Sequence, residues 1–113
     1  MSLSNKQWEF LQDVSQLISY AKDKGYKLTG GELMRTKYQQ EEYLRTGMSK
    51  TANSNHLRKM AIDLNLFINN EVQWHKCPEW QDLGDYWESL REGNVWGGNY
   101  KNFVDTPHFE NIR

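Results

Sequence analysis

The segment from Ala61 to Ile68 constrains the fold more than any other part of this sequence. Its even-numbered residues are all Ile or Leu and share one face of an extended strand, whereas Asp63 and Asn65 lie on the opposite face. The Asn69-Asn70 pair that follows predicts a tight hairpin turn into a second strand at 71–74. A half-buried strand that ends in a hairpin indicates an antiparallel sheet with one face covered by other elements.

The sequence predicts helices on both sides of this strand, and these helices can pack against the buried face of the sheet. The first helix is predicted from about Asn5 to Lys24, with Ser4 and Gln7 as a capping box and Gly25 as the stop. A second, short helix is predicted at about 37–45 and a third at 79–90, directly after Pro78. The first helix is expected to bury a stripe of Trp8, Leu11, Val14, Leu17, Ile18 and Ala21, and the third a stripe of Trp80, Leu83, Trp87 and Leu90.

The chain is expected to end in a short strand at 106–110. The order of elements then predicts an α+β fold, in which a small antiparallel sheet packs with about three helices. With 113 residues, we expect a single domain that spans 1–113. Trp80, Trp87 and Trp96 are interpreted as core residues rather than as a sugar-stacking platform.

Composition excludes several classes of function. The formal net charge of -1 gives no overall basic field to hold a nucleic acid or an anionic membrane. No apolar stretch approaches the ~20 residues that span a bilayer. Cys77 is the single cysteine, so it forms no internal disulfide. The first residues lack a secretory signal pattern, so a cytoplasmic location is expected, and a monomer is the default.

Polar groups that can bind metals occur where a small core should be apolar. His56 lies in the predicted loop before the strand that carries Asp63, and this loop can fold back to bring the two together. His108 lies in the last strand, where Pro107 stiffens the approach. Three ligands of the types His, Asp and His suit a catalytic Zn²⁺, although iron or another divalent ion remains open. Asp105, three residues before His108, is the best candidate for a carboxylate that moves a proton.

Each histidine taken singly is more often a surface or core residue than a ligand. A domain without metal therefore remains open from the residues alone. His75 and Cys77 form a second His-x-Cys pair near Pro78, but two ligands without partners make a poor site, and a loop with a partly buried thiol is favoured.

Two motifs resemble those of the zinc peptidases that cut bacterial cell-wall peptides. This family includes D-alanyl-D-alanine carboxypeptidases and dipeptidases and phage L-alanyl-D-glutamate endopeptidases, and it shares its fold with the hedgehog signalling domain. Its second motif, an acidic residue three positions before a His, is matched by Asp105 and His108. Its first motif, Ser-x-His-x-x-Gly-x-Ala-x-Asp, is matched at Ser54, His56, Ala61 and Asp63.

The resemblance extends over roughly residues 25 to 110. The stretch from Trp96 to Glu110, with Asp105-x-Pro-His-Phe-Glu at its end, is most similar to the phage endolysin branch. The segment around Arg35 is similar to the part of the family that supplies a basic residue to the active site. One position departs from the pattern, because Lys59 replaces the motif glycine and would be strained if that position needs a positive φ.

The resemblance implies roles for individual residues. His56, Asp63 and His108 would bind one Zn²⁺, which would lower the pKa of a bound water towards ~7. Asp105 would act as general base and later as general acid. Arg35 would steady the carbonyl oxygen as it becomes an oxyanion, or it is a solvated surface arginine. Ser54 would orient a ligand; Glu110 could do similar work, although a charged strand end is the favoured interpretation.

The predicted function is therefore a zinc metallopeptidase acting on the peptide stem of peptidoglycan, most simply an L-alanyl-D-glutamate endopeptidase of a phage or prophage. Such an endolysin would stay in the cytoplasm until it is released to the cell wall. The nearest alternative is a D-alanyl-D-alanine carboxypeptidase. An alternative of another class is a hedgehog-like binding module that keeps zinc without catalysis.

Overall fold

The computed structural model describes residues 2–31 and 58–113, and in this part of the chain it shows an α+β fold with an antiparallel sheet. The predicted fold class is thereby confirmed, whereas the short helix predicted at 37–45 lies outside the described residues. In chain order the elements are α1 (Leu3–Lys24), β1 (Lys27–Gly30), β2 (Ala61–Ile68), β3 (Glu71–Val72), α2 (Pro78–Leu90), β4 (Asn94–Trp96), a 3-10 turn (Gly97–Asn99) and β5 (His108–Asn111).

The predicted strand at 61–68 is β2, and it lies at the centre of the sheet. The strand order is β1-β2-β5-β4, β3 also pairs with β2, and every pairing is antiparallel. Asn69 and Asn70 form the predicted hairpin turn, with φ angles of 52° and 65°. Both positions are left-handed, as a two-residue turn of this kind requires, and asparagine tolerates that conformation better than most residues.

Helix α1 differs from the prediction at its start and on its buried face. Ser2, rather than Ser4, caps the helix, and its side chain accepts a hydrogen bond from the backbone N–H of Asn5. Gly25 ends the helix with a φ of 78°, as expected. The predicted stripe was too wide: Trp8, Leu11 and Ile18 are exposed, and the residues that pack inward are Phe10, Asp13, Val14, Leu17 and Ala21.

The buried positions 10, 14, 17 and 21 follow the helical period more closely than the predicted set does. Asp13 joins this face because the guanidinium of Arg91 pairs with its carboxylate, with an Nε–Oδ2 distance of 2.8 Å. Apolar periodicity alone could not indicate an inward-facing Asp, because its burial depends on a partner 78 positions away in the chain.

Helix α2 places its aromatic face on the core, as predicted. Trp80 and Trp87 are buried there, and Trp96 on β4 and Phe109 on β5 complete the aromatic cluster. The three tryptophans are therefore core residues, and the half-buried Cys77 directly precedes the helix.

Two features of the C-terminal region depart from the sequence-based prediction. Strand β4 was not anticipated, because three residues bounded by glycines carry no detectable alternation. Strand β5 begins at His108 rather than at Thr106, since a turn closed by the N–H of His108 and the C=O of Asp105 occupies the preceding residues. Among the residues that the structure describes, no helix is both long enough and apolar enough to span a bilayer.

Candidate metal centre

Asp63 and His108 face each other across the β2–β5 pairing. They are direct partners in the register, and the adjacent pair Ile62 and Phe109 is directed towards the core. Nδ1 of His108 lies 3.1 Å from Oδ1 of Asp63. The two predicted ligands on strands thus meet at one point, although 45 positions separate them in the chain.

A second carboxylate holds the other nitrogen of the same ring. Oε2 of Glu110 lies 2.6 Å from Nε2 of His108, and it also accepts a hydrogen bond of 2.5 Å from the hydroxyl of Tyr100. We call Asp63, Tyr100, His108 and Glu110 the site cluster. It lies at the edge of the protein interior, because His108 is only 8% exposed.

The site cluster favours positive charge on or beside the imidazole. A neutral imidazole has one N–H, whereas both of its nitrogens here face carboxylates that can only accept. Burial lowers the pKa of His108, but hydrogen bonds to Asp63 and Glu110 and the charges of these carboxylates outweigh burial and raise it to about 9. Without metal, a second proton on the ring gives each nitrogen an N–H to donate to its carboxylate. A cation bound on the Nδ1 side would compensate the carboxylate charge in the same way.

Asp105 reaches the same region through a tight turn. Its backbone N–H donates to the C=O of Gly97, and its C=O accepts from the N–H of His108. A Cβ on Gly97 would lie 2.2 Å from the Asp105 carbonyl oxygen, so this close approach requires glycine. Burial raises the pKa of the Tyr100 hydroxyl, as do its hydrogen bond to Glu110 and the charges of Glu110, Asp105 and Asp63.

The remaining predicted site residues, Ser54, His56 and Arg35, lie outside the described residues. Their roles, including that of His56 as third ligand, stay predictions. Within residues 2–31 and 58–113, no group of three His, Cys, Asp or Glu side chains is arranged to hold a metal ion. The described part of the site thus contributes two of the three predicted ligands.

The spacing of these two predicted ligands is compatible with zinc as well as with a direct hydrogen bond. Two ligand atoms of a tetrahedral zinc ion, each bonded at about 2.0–2.1 Å, lie about 3.3 Å apart. Nδ1 of His108 and Oδ1 of Asp63 are 3.1 Å apart. A metal-bound histidine usually donates its other N–H to a carboxylate, which is the position of Glu110.

Sequence reasoning underestimated Glu110 and missed Tyr100. Glu110 was interpreted as a charged strand end, but residues 108 and 110 share a face of an extended strand, and this two-residue spacing was the signal that could have identified it. Tyr100 follows the 3-10 turn, where the sequence carries no comparable signal. Lys59, in contrast, has a φ of 59°, so the motif glycine position does require a left-handed conformation here.

Comparisons with known proteins identify the family to which the chain belongs. The family model described as D-alanyl-D-alanine carboxypeptidase matches residues 47–111. The chain is 30% identical over 97 residues to an L-alanyl-D-glutamate peptidase of Listeria phage A118, an alignment that covers 84% of this chain and 34% of that protein. The chain thus spans about a third of this relative's length.

A solved structure shares the fold. The L-Ala D-Glu endopeptidase ChiX of Serratia marcescens superposes with a TM-score of 0.74 at 22% identity, covering 91% of this chain and 77% of that one. Because the family model spans more than half of the chain, this protein belongs to the D-alanyl-D-alanine carboxypeptidase family of peptidases, whose members generally depend on zinc. The predicted family is confirmed.

Proposed function

We propose that this protein is a zinc-dependent L-alanyl-D-glutamate endopeptidase that cleaves the peptide stem of bacterial peptidoglycan. The observation that carries the proposal is the pairing of Asp63 with Nδ1 of His108 across β2 and β5, in a chain of this peptidase family. The choice of bond is supported by the phage relative, which is an L-alanyl-D-glutamate peptidase.

In this proposal Asp63, His108 and His56 would hold the ion. When bound, zinc supplies a Lewis acid that polarises the scissile carbonyl and acidifies water. The Asp105 carboxylate takes a proton from the attacking water and delivers it to the leaving amine. Arg35 binds the carbonyl oxygen as negative charge develops on it, and Ser54 orients a ligand.

The turn between Gly97 and His108 supports the proton-transfer role of Asp105. Its two backbone hydrogen bonds fix Asp105 relative to His108, and the hydrogen bond from the N–H of Leu64 to the C=O of Pro107 ties the same turn to β2. Because the backbone at Asp105 is held in this way, its carboxylate has only side-chain freedom to lose when it acts on a substrate bound beside His108.

A D-alanyl-D-alanine carboxypeptidase is the second candidate, because that activity is the description of the matching family model. The two candidates differ in the product. Isolated cell walls treated with the purified protein should yield new D-Glu amino termini on the released peptides, detected by mass spectrometry. Release of free D-Ala alone would instead identify the carboxypeptidase.

The same assay tests zinc and catalysis. A chelator should abolish cleavage, and added Zn²⁺ should restore it. Asp105→Ala should lose cleavage while it still binds zinc; unchanged lysis by this variant would contradict the catalytic role of Asp105. A wild-type protein that binds zinc and cleaves neither bond would favour the hedgehog-like binding module.

The relation to a phage peptidase also supports the proposal that the protein acts as an endolysin. In this role it stays in the cytoplasm and reaches the wall upon release. Fractionation of producing cells before and after membrane permeabilisation tests this, and a wall-bound protein in intact cells would contradict it.

A further inference from the structure

The proposed function leaves Tyr100 and Glu110 without a role, although both belong to the site cluster. Oε2 of Glu110 is shared between the Nε2 position of His108, at 2.6 Å, and the hydroxyl of Tyr100, at 2.5 Å. The three side chains therefore form a chain of hydrogen bonds that ends on the ring of a predicted zinc ligand.

We propose that Glu110, held by Tyr100, is a positioning residue that keeps the proton of His108 on Nε2 and thereby presents Nδ1 as the metal-binding nitrogen. This inference rests on the proposed function, because it concerns the same zinc site. It adds two residues to that site, neither of which binds the ion.

The fold restrains each member of this chain of hydrogen bonds. Glu110 is anchored on β5, where its backbone C=O accepts a hydrogen bond from the indole N–H of the buried Trp87. Tyr100 directly follows the 3-10 turn, and its backbone N–H donates to the C=O of Gly97. The Tyr100 ring also lies beside the His108 ring, with centroids 6.1 Å apart. A carboxylate restrained in this way limits rotation of the imidazole.

The direction of the hydrogen bonds fixes which nitrogen remains for metal. Both ring nitrogens face carboxylate oxygens, which cannot donate, but Nε2 lies 2.6 Å from Glu110 whereas Nδ1 lies 3.1 Å from Asp63. The single proton of a neutral ring therefore belongs on Nε2, in the shorter contact. Tyr100 is itself a donor to the same oxygen, which leaves Glu110 as an acceptor for both partners. The lone pair of a neutral His108 then lies on Nδ1, on the side of Asp63.

The test is zinc affinity, measured on the purified full chain by competition with a chromophoric chelator. Loss of a carboxylate that supports a metal-bound histidine typically weakens metal binding about 10- to 100-fold. We expect this loss in Glu110→Ala, a smaller loss in Glu110→Gln, whose amide oxygen can still accept from Nε2, and a loss of about 10-fold or less in Tyr100→Phe.

Glu88→Ala is the matched control. Glu88 supports the neighbouring turn from the other side, because its carboxylate accepts from the backbone N–H of Trp96 and from the Asn99 side chain. This variant should loosen the packing of the same region and leave zinc affinity unchanged. Urea unfolding of each metal-free variant reports any general loss of stability.

A second measurement follows the ring itself. In zinc-loaded wild-type protein, a long-range ¹H–¹⁵N spectrum should show His108 protonated on Nε2, and Glu110→Gln should keep this state. Tyr100→Phe, which removes only one oxygen atom, tests the inference even if Glu110→Ala fails to fold.

Unchanged zinc affinity in a folded Glu110→Ala protein, or in both Glu110→Gln and Tyr100→Phe where Glu110→Ala fails to fold, would overturn the inference and leave the proposed function intact. Equal weakening by Glu88→Ala would also overturn it, because general packing would then account for the effect. Absence of zinc binding by the wild-type protein would overturn both proposals.

Discussion

Two clusters of charged side chains in this molecule differ in how their charges are balanced. The site cluster places two carboxylates, Asp63 and Glu110, on one imidazole. The other cluster, which we call the end cluster, joins α1 to the end of α2 and to the C-terminus. It contains two carboxylates and two guanidinium groups, on Glu9, Asp13, Arg91 and Arg113.

In the end cluster every carboxylate has an arginine of its own. Arg91 forms two hydrogen bonds to Asp13, of 2.8 and 3.0 Å, and a third to Glu9; Arg113 also binds Glu9. Paired charges of this kind hold elements together and need no further ligand. In the site cluster the two carboxylates are instead joined through one imidazole. The end cluster thus holds elements of the fold together, whereas the site cluster contains the two predicted ligands of the proposed zinc ion.

Asp63→Ala should separate the two roles most clearly. We expect cleavage of isolated cell walls to fall about 10³-fold, because loss of the ion removes several kcal/mol of transition-state stabilisation. Zinc binding should fall with it, while circular dichroism shows a folded protein. Asn65→Ala, two residues further along the same face of β2, is the control and should retain activity. A folded Asp63→Ala protein with normal zinc content would contradict the assignment.

Asp13→Ala, in contrast to Asp63→Ala, should lower the stability of the fold and leave zinc binding unchanged. Removing one partner of a buried ion pair costs about 3–5 kcal/mol of unfolding free energy, because the remaining charge is left without compensation. We expect about 3 kcal/mol in urea unfolding, since Arg91 keeps its contact with Glu9. Zinc affinity of the folded protein should not change. Glu9→Ala, which removes a more exposed carboxylate, should cost about 1 kcal/mol or less.

The same two clusters show what could be predicted from the sequence. Asp63 and His108 were identified because each belongs to a motif with fixed spacing, and β2 was placed correctly because alternation is a local property. The partners of Asp13 and Tyr100 were not predicted, because their positions follow from long-range packing. Residues Asp13 and Arg91 are 78 positions apart, and no local pattern relates them.

Gly97→Ala tests the connection between the fold and the site. The added Cβ would lie 2.2 Å from the Asp105 carbonyl oxygen and 3.0 Å from Cβ of His108, so the turn that carries Asp105 must shift. We expect a loss of about 2 kcal/mol in unfolding free energy, typical of overpacking, together with reduced wall cleavage.

Gly25→Ala is the control for this variant, because Gly25 has a φ of 78° but open space around it. It should lose stability through backbone strain and keep its activity per folded molecule. If Gly97→Ala and Gly25→Ala behaved alike in the cleavage assay, Gly97 would have no special relation to the site.

Lys59→Gly should have the smallest effect on the unfolding free energy, and it should stabilise the protein rather than destabilise it. Lys59 adopts a φ of 59° at the turn that leads into β2, which costs a non-glycine residue roughly 1–2 kcal/mol. Glycine relieves this strain, but its greater freedom in the unfolded chain removes about 0.5–1 kcal/mol of the gain. We therefore expect a net stabilisation of about 0 to 1.5 kcal/mol, measured by urea unfolding.

Lys59→Ala separates the backbone effect from the loss of charge. Alanine removes the ammonium group but has the same difficulty with a positive φ, so this variant should show no gain. Asn70→Gly should gain less than Lys59→Gly, because asparagine tolerates its φ of 65°. The next residue after Lys59, Met60, accepts a backbone hydrogen bond from Asn111 and is fully buried. Stabilisation by Lys59→Gly should thus strengthen the β2–β5 pairing that positions Asp63 and His108, without changing either side chain. Equal stabilisation by Lys59→Ala would show that loss of charge, and not relief of backbone strain, is responsible.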